Sequence, residues 1–289
     1  MRNSTAEETG GPVCGSLGAG FYRPGIVHRP RRGLFGASVL GALLASASVA
    51  PSCTTVPVTG RSAFNMASID EDKKLGSEAY AEVLKTAKLK DNGPEYAQVR
   101  RVTDRLIPVV DDPGFEWEVH VIDDPKTVNA WCMPGGKIAV YTGILPLTKD
   151  DASLAVVLAH EIGHAVARHG TERMSQAGLT DMLLQGASAF NQNLAQYQAA
   201  LGQATNLIVL QKWGREQESE ADHIGLVYMA RAGYDPHVAV TFWQRMAAQS
   251  SGAPPEILST HPSDEHRIND IRRLMPEADR EYKRAGGAP

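Results

Sequence analysis

His160-Glu161-Ile162-Gly163-His164 puts two imidazoles four residues apart with a carboxylate beside the first. On a helix, positions i and i+4 lie one turn apart on the same face, so both rings can reach a single metal ion. Glu161 then sits next to that ion, able to take a proton from attacking water, as metal-assisted hydrolysis requires. The flanks, Leu154-Ala-Val-Val-Leu-Ala and Ala165-Val-Ala, are apolar and mark a buried helix. That setting does not suit a pair of surface histidines, because buried imidazoles need partners.

A catalytic zinc site needs a third protein ligand and an open position. One class takes that ligand from the sixth residue past the second His, with a Gly midway. Those positions here are Gly170 and Ala167, which excludes it, and His169 is one residue off and on the wrong face. The alternative is a carboxylate from a separate helix, and Glu218-Ser219-Glu220-Ala221-Asp222 fits. Glu218 and Asp222 share a face at i, i+4, so Glu218 can bind metal while Asp222 accepts a hydrogen bond from a ligand His. Alone, this run would read as a solvated acidic face. Beside H-E-x-x-H, Glu218 rather than Glu220 is the expected third ligand.

The elements that must position these groups follow from capping, periodicity and breakers. Ser68-Ile-Asp-Glu71 is a capping-box pattern that opens an amphipathic helix to about Leu89. Asp91-Asn-Gly-Pro94 breaks it, and a second helix runs to about Ile107. Three short strands are expected at 116–122, 128–133 and 137–142, with Pro134-Gly135-Gly136 as a turn. From Asp151 on the pattern is helical: 152–168, one or two helices over 171–210, 215–232, 236–248, and a last helix from near Ser263. The fold class is α+β, a small three-stranded sheet followed by a mostly helical body.

With these pieces in order, H-E-I-G-H followed by E-S-E-A-D resembles the M48 family of zinc metallopeptidases, in its periplasmic, lipoprotein or soluble branch. Asn129-Ala-Trp-Cys-Met-Pro-Gly-Gly-Lys-Ile138 is similar to that family's hairpin before the active-site helix, and Trp131-Cys132 departs from it. Ser259-Thr-His-Pro262 followed by Arg267 is similar to its C-terminal motif. The resemblance implies a mostly helical gluzincin-type fold with the small sheet next to the active-site helix. It implies one zinc ion per chain held by His160, His164 and Glu218, Glu161 as general base, and Asp222 orienting a histidine. It further implies His261 as a removable fourth ligand, and Arg267 as a motif arginine that places substrate or the His261 loop. His266 is a lesser competitor of His261, while His120, His223 and His237 are expected at the surface.

The N-terminal part is a different kind of polypeptide. Arg29, Arg31 and Arg32 precede an uncharged run, 34–50, that is diluted by Gly and Ser and ends in small residues. Basic, apolar and small-residue regions in that order make a secretory signal, and the run is short for a membrane span. Val49-Ala-Pro-Ser-Cys53 resembles the lipobox of bacterial lipoproteins, so Cys53 is the expected lipidation site. The resulting plan is a signal peptide over 1–52, a Thr-, Pro- and Gly-rich tether over 53–66 and a metallopeptidase domain over 67–289. Thr54 is not the acidic residue that retains such proteins at the inner membrane. The expected location is therefore the periplasmic face of a bacterial outer membrane. With Cys14 removed and Cys53 acylated, Cys132 has no partner for a disulfide.

Composition limits the alternatives. A chain of 289 residues that is 43% hydrophobic can bury a sizeable core, which excludes a disulfide-stapled miniprotein. The net charge of −4 speaks against nucleic acid as a partner. The function expected is a zinc endopeptidase that takes extended or unfolded polypeptides along an edge strand and degrades misfolded or unassembled envelope proteins. The rival is a latched zinc protein acting mainly as a chaperone or assembly factor for outer-membrane proteins, and His261 is the residue that separates the two.

Overall fold

The structure, a computed structural model, describes residues 52–185, 214–248, 255–261 and 265–287. All but the last residue of the expected signal peptide, the later part of the helical run 171–210, and Pro262 of the His-Pro motif lie outside the described residues.

The segment expected as a tether is folded. Strands β1 (Ser52–Thr55) and β2 (Ser62–Asn65) pair antiparallel, with Cys53 opposite Phe64. The Thr, Pro and Gly between them make a turn: Val56 N–H donates to Arg61 O (2.8 Å) and Gly60 N–H to Val56 O (3.0 Å). Val56, Ala63 and Asn65 are buried, and Met66 N–H donates to Ser175 Oγ at 2.8 Å. Burial of this kind fixes a short polar segment that composition alone would leave loose.

Helix α1 (Ile69–Thr86) starts at the capping box: Ser68 Oγ accepts from Glu71 N–H (3.2 Å), and Glu71 Oε2 accepts from Ser68 N–H (2.6 Å). It ends short of Leu89, which bridges to Ile122 instead. Helix α2 (Gly93–Leu106) follows. Strands β3 (Glu118–Ile122), β4 (Ala130–Met133) and β5 (Lys137–Tyr141) form the expected three-stranded sheet in the order β3-β5-β4. Strand β5 runs parallel to β3 and antiparallel to β4, so β4 is a sheet edge.

A short helix, α3 (Leu145–Thr148), leads into α4 (Asp151–Val166), which carries H-E-x-x-H. Asp150 caps α4 by accepting from Ser153 N–H at 2.7 Å. Every α4 residue from Ser153 on is buried, the condition of a helix that is apolar all round. Around it lie α2, β4, α5 (His169–Gln185), α6 (Arg215–Arg231) and α7 (Val238–Ala248). A short α8 (Glu256–Thr260) and the long α9 (Glu265–Arg284) complete the described elements. The architecture is α+β and mostly helical, with the sheet beside the active-site helix.

Helices α4 and α6 touch backbone to backbone, and that approach sets the distance between their functional side chains. A Cβ at Gly225 on α6 would lie 2.9 Å from His160 N and 3.1 Å from Ala159 C, neither of which can swing aside. Gly225→Ala is therefore expected to destabilise the fold by about 1–3 kcal/mol, read as a lower denaturant midpoint at unchanged slope. An unchanged midpoint would show that the contact is slack.

The junction between α4 and α5 departs from the sequence expectation of one helix to residue 168. Arg168 takes a left-handed φ of 56°, which costs a non-glycine residue about 1–2 kcal/mol. Its guanidinium is fixed where that geometry leaves it. Nε donates to Asp72 Oδ2 and Nη2 to Ala67 O, both at 2.6 Å. The reversal starts α5 at His169 and turns that side chain back under α4.

Candidate metal centre

His160 and His164, one turn apart on α4, meet Glu218 from α6 and His261 from the end of α8. One ligand atom from each of the four lies within 4.8 Å of every other, and all four residues are buried. His160 Nε2 is 3.2 Å from His164 Nε2 and 3.1 Å from His261 Nδ1. Glu218 Oε1 is 3.3 Å from His164 Nε2 and 2.8 Å from His261 Nδ1. Donors about 2.0–2.2 Å from a tetrahedral ion would be separated by about 3.3–3.6 Å, so the cluster has nearly that size. Three imidazole nitrogens facing one another cannot all be satisfied by one another's protons. A cation at the centre resolves this, and the two-to-one mix of nitrogen and oxygen donors from His160, His164 and Glu218 suits zinc.

The electrostatics agree. Burial would raise the Glu218 carboxyl, but the facing His261 and Arg267 outweigh it and hold Glu218 well below the usual carboxylate range. Burial lowers His164 far below an ordinary imidazole, the neutral state a ligand needs. Glu161 is pushed up by burial, against the nearby His261 and His160. It stands outside the four-donor cluster, with Oε1 3.3 Å from His261 Nε2.

Behind the ligands, Asp222 Oδ1 lies 2.9 Å from His160 Nδ1. Arg267 reaches Asp222 with Nε (2.8 Å) and Nη2 (2.7 Å), and its Nη1 lies 3.1 Å from Glu218 Oε2 and 3.4 Å from His261 O. Its guanidinium carbon is 3.4 Å from the centroid of the Trp243 ring, a stacked and fully desolvated arrangement. Of the two placements expected for Arg267, the structure has the contact with the His261 segment, and the side chain is buried beneath the site.

The remaining histidines separate cleanly. His223 pairs with Glu277 and His237 with Asp279 away from the centre, and His266 is exposed on α9. His120 is half-buried rather than solvent-facing: its Nδ1 is 2.5 Å from Asp91 Oδ2, and its ring packs near Tyr80. His169 is the residue that sequence reasoning missed. It is fully buried, with Nδ1 2.9 Å from His164 Nδ1 and Nε2 2.9 Å from Glu220 Oε2. The left-handed turn at Arg168 puts it there, and no Gly at 168 announced that turn.

Residues 94–275 match the family model described as Peptidase family M48. The chain belongs to peptidase family M48. It is 38% identical over 247 residues to the mitochondrial metalloendopeptidase OMA1 of Schizosaccharomyces pombe, covering 83% of this chain and 72% of that protein. The human mitochondrial metalloendopeptidase OMA1 is 34% identical over 240 residues, covering 77% of this chain and 46% of its own length. The Escherichia coli beta-barrel assembly-enhancing protease is 29% identical over 235 residues, 77% of this chain and 47% of that protein. The chain thus spans under half the length of the last two relatives. As an M48 member with a His-His-Glu cluster, it is a zinc metalloendopeptidase acting on polypeptides.

These relatives overturn the expected location. Relatives at 30–42% identity include mitochondrial metalloendopeptidases of yeasts, a plant, cattle, human and fish, whereas two bacterial relatives stand at 27–29%. An outer-membrane lipoprotein on the periplasmic face does not follow from that company. The expectation rested on the basic and apolar run over 29–50, five residues around Cys53 and the residue Thr54, patterns too short and too degenerate to outweigh similarity along most of the chain.

Proposed function

We propose that the M48 site works as an endopeptidase of protein quality control, with His160, His164 and Glu218 holding zinc, Glu161 as general base and His261 as a removable fourth ligand. The observation that carries this reading is the position of His261. Its Nδ1 completes the four-donor cluster while its Nε2 faces Glu161, so one imidazole occupies the open position and covers the base together.

Zinc, when bound, supplies a Lewis acid that polarises the scissile carbonyl and acidifies water to a pKa of about 7. The chain supplies the rest. Glu161, made more basic by burial, takes a proton from the attacking water and passes it to the leaving amine. Asp222 accepts from His160 Nδ1–H, which keeps the opposite nitrogen free of a proton and aimed inward. Arg267 holds Asp222 through Nη2 and the carbonyl of His261 through Nη1, joining the two with one guanidinium.

An extended polypeptide would pair with the edge of β4 through backbone hydrogen bonds, a mode tolerant of side-chain sequence. That tolerance suits misfolded or unassembled proteins better than one dedicated substrate. The segment bearing His261 is tied to the two residues that lead into β4, since Ile257 N–H donates to Val128 O at 3.1 Å and Asn129 Nδ2 to Glu256 Oε1 at 3.1 Å. Substrate pairing there competes with that tie, which gives it the differential affinity that opening requires. The closed geometry also favours a second reading, a latched protein that assists assembly more than it cuts. The name of the E. coli relative is in keeping with it.

His261→Ala decides. If the resting site is about 99% closed, removal of the latch raises the cleavage of casein, or of the protein itself, by up to about 100-fold. A loss of about 10²–10³-fold with zinc retained would instead make His261 a transition-state donor and sink the latch. Activity unchanged at a low level would favour the assembly reading.

A further inference from the structure

We infer that His169, Glu220 and the β1–β2 turn residues Thr59 and Arg61 form a positioning relay that sets the tautomer and orientation of His164. The inference rests on the reading that His164 holds the metal.

The relay can be followed atom by atom from its outer end. Thr59 Oγ1 donates to Glu220 Oε1 at 2.6 Å, and Arg61 Nε donates to Glu220 Oε2 at 2.8 Å. Arg61 is itself held by a bidentate pair with Glu172, Nη1 to Oε1 at 2.7 Å and Nη2 to Oε2 at 2.8 Å. A carboxylate facing a guanidinium and a hydroxyl stays ionised and can only accept. The hydrogen between Glu220 Oε2 and His169 Nε2, 2.9 Å apart, therefore belongs to His169. A neutral imidazole protonated at Nε2 offers a lone pair at Nδ1. His169 Nδ1 faces His164 Nδ1 at 2.9 Å, so that proton belongs to His164. His164 Nε2 is then left unprotonated, and it is the nitrogen that points at His160, Glu218 and His261.

With His169 neutral, each step admits one proton placement, and the hydrogen bonds from both ends of the relay converge on Glu220. The arrangement is the counterpart, one turn along α4, of the direct contact between Asp222 and His160. One ligand histidine is oriented by a carboxylate and the other by a carboxylate acting through a second imidazole. His169 is fully buried, so it cannot borrow water as a substitute partner. Thr59 and Arg61 lie outside the stretch matched by the family model, which starts at residue 94. The turn in the segment expected to be a tether would thus contribute to the metal centre without touching it.

The test is zinc affinity, measured by chelator competition on the folded full chain, together with the visible absorption spectrum of the cobalt-substituted protein. His169→Phe keeps an aromatic ring and removes both ring nitrogens; it should weaken zinc binding by about 10–100-fold and shift the cobalt bands. His169→Gln, which can accept with one end and donate with the other, should recover part of that loss. Should His169→Phe not fold, Arg61→Gln with Thr59→Val carries the test. The Arg61 side chain is 37% exposed, and the change leaves the core intact. This pair is expected to weaken zinc binding in the same direction by several-fold, with KM for a peptide substrate unchanged. Zinc affinity and cobalt spectrum within twofold of wild type in a folded His169 or Arg61/Thr59 variant would overturn the relay. His164→Ala separates the two claims: if it binds zinc as wild type does, the metal site itself is misassigned, whereas loss there with silent relay variants removes this inference alone.

Discussion

Glu161→Gln is expected to lower peptidase activity by about 10²–10⁴-fold while leaving one zinc ion per chain bound. The two parts of that outcome have separate causes. Glu161 follows His160 directly, so on α4 it leaves the helix at a different angle and stays outside the group of atoms that can ligate one ion. Its Oε1 is buried without a hydrogen bond, 3.3 Å from His261 Nε2. A buried carboxyl with one oxygen unsatisfied holds a proton readily, and burial is what raises it here, against the pull of His261 and His160. Gln fills the same volume and cannot take a proton, so base catalysis goes while the ligands stay. Zinc content by metal analysis, alongside casein digestion, checks both halves. Loss of zinc together with activity would make Glu161 a structural residue.

The site was legible where its chemistry is written in short spacings. His160 and His164 are four apart on one helix, and Glu218 and Asp222 repeat the spacing on another, so each pair carries its own geometry. The fold class was legible for a similar reason, since the capping box at Ser68 and the turn at 134–136 punctuate the chain locally. What remained hidden depends on tertiary packing. Arg168 adopts a left-handed conformation because Asp72 and the Ala67 carbonyl, about a hundred residues earlier, hold its guanidinium. A continuous helix through 168 places His169 on the wrong face, and the actual reversal places it under His164. The 53–66 segment misled in the same way. Its composition is that of a linker, yet Val56 and Ala63 are buried and Arg61 is anchored by Glu172 and Glu220 from two distant helices.

Glu218→Ala is expected to weaken zinc binding by about 10²–10³-fold and to abolish peptidase activity, and Glu220→Ala is not expected to abolish zinc binding. Charge is the larger reason. Glu218 is the one carboxylate among the four clustered donors, and Arg267 Nη1 lies 3.1 Å from its Oε2. Removing it leaves the cation facing a buried guanidinium that Asp222 alone still balances, and breaking a buried ion pair costs about 3–5 kcal/mol. Three imidazoles would remain, His160, His164 and His261, and together they can retain some metal at high concentration. The double variant Glu218→Ala with His261→Ala removes that refuge, so its zinc should be lost on dialysis. Glu220 stands one step outside, bonded to His169, Arg61 and Thr59, so Glu220→Ala should keep one equivalent of zinc when the metal is supplied in excess. Zinc titration of the three variants reads the difference directly. A full equivalent at wild-type affinity in Glu218→Ala would overturn the ligand assignment. Loss of the metal from Glu220→Ala even at saturating zinc would move the third ligand to that residue.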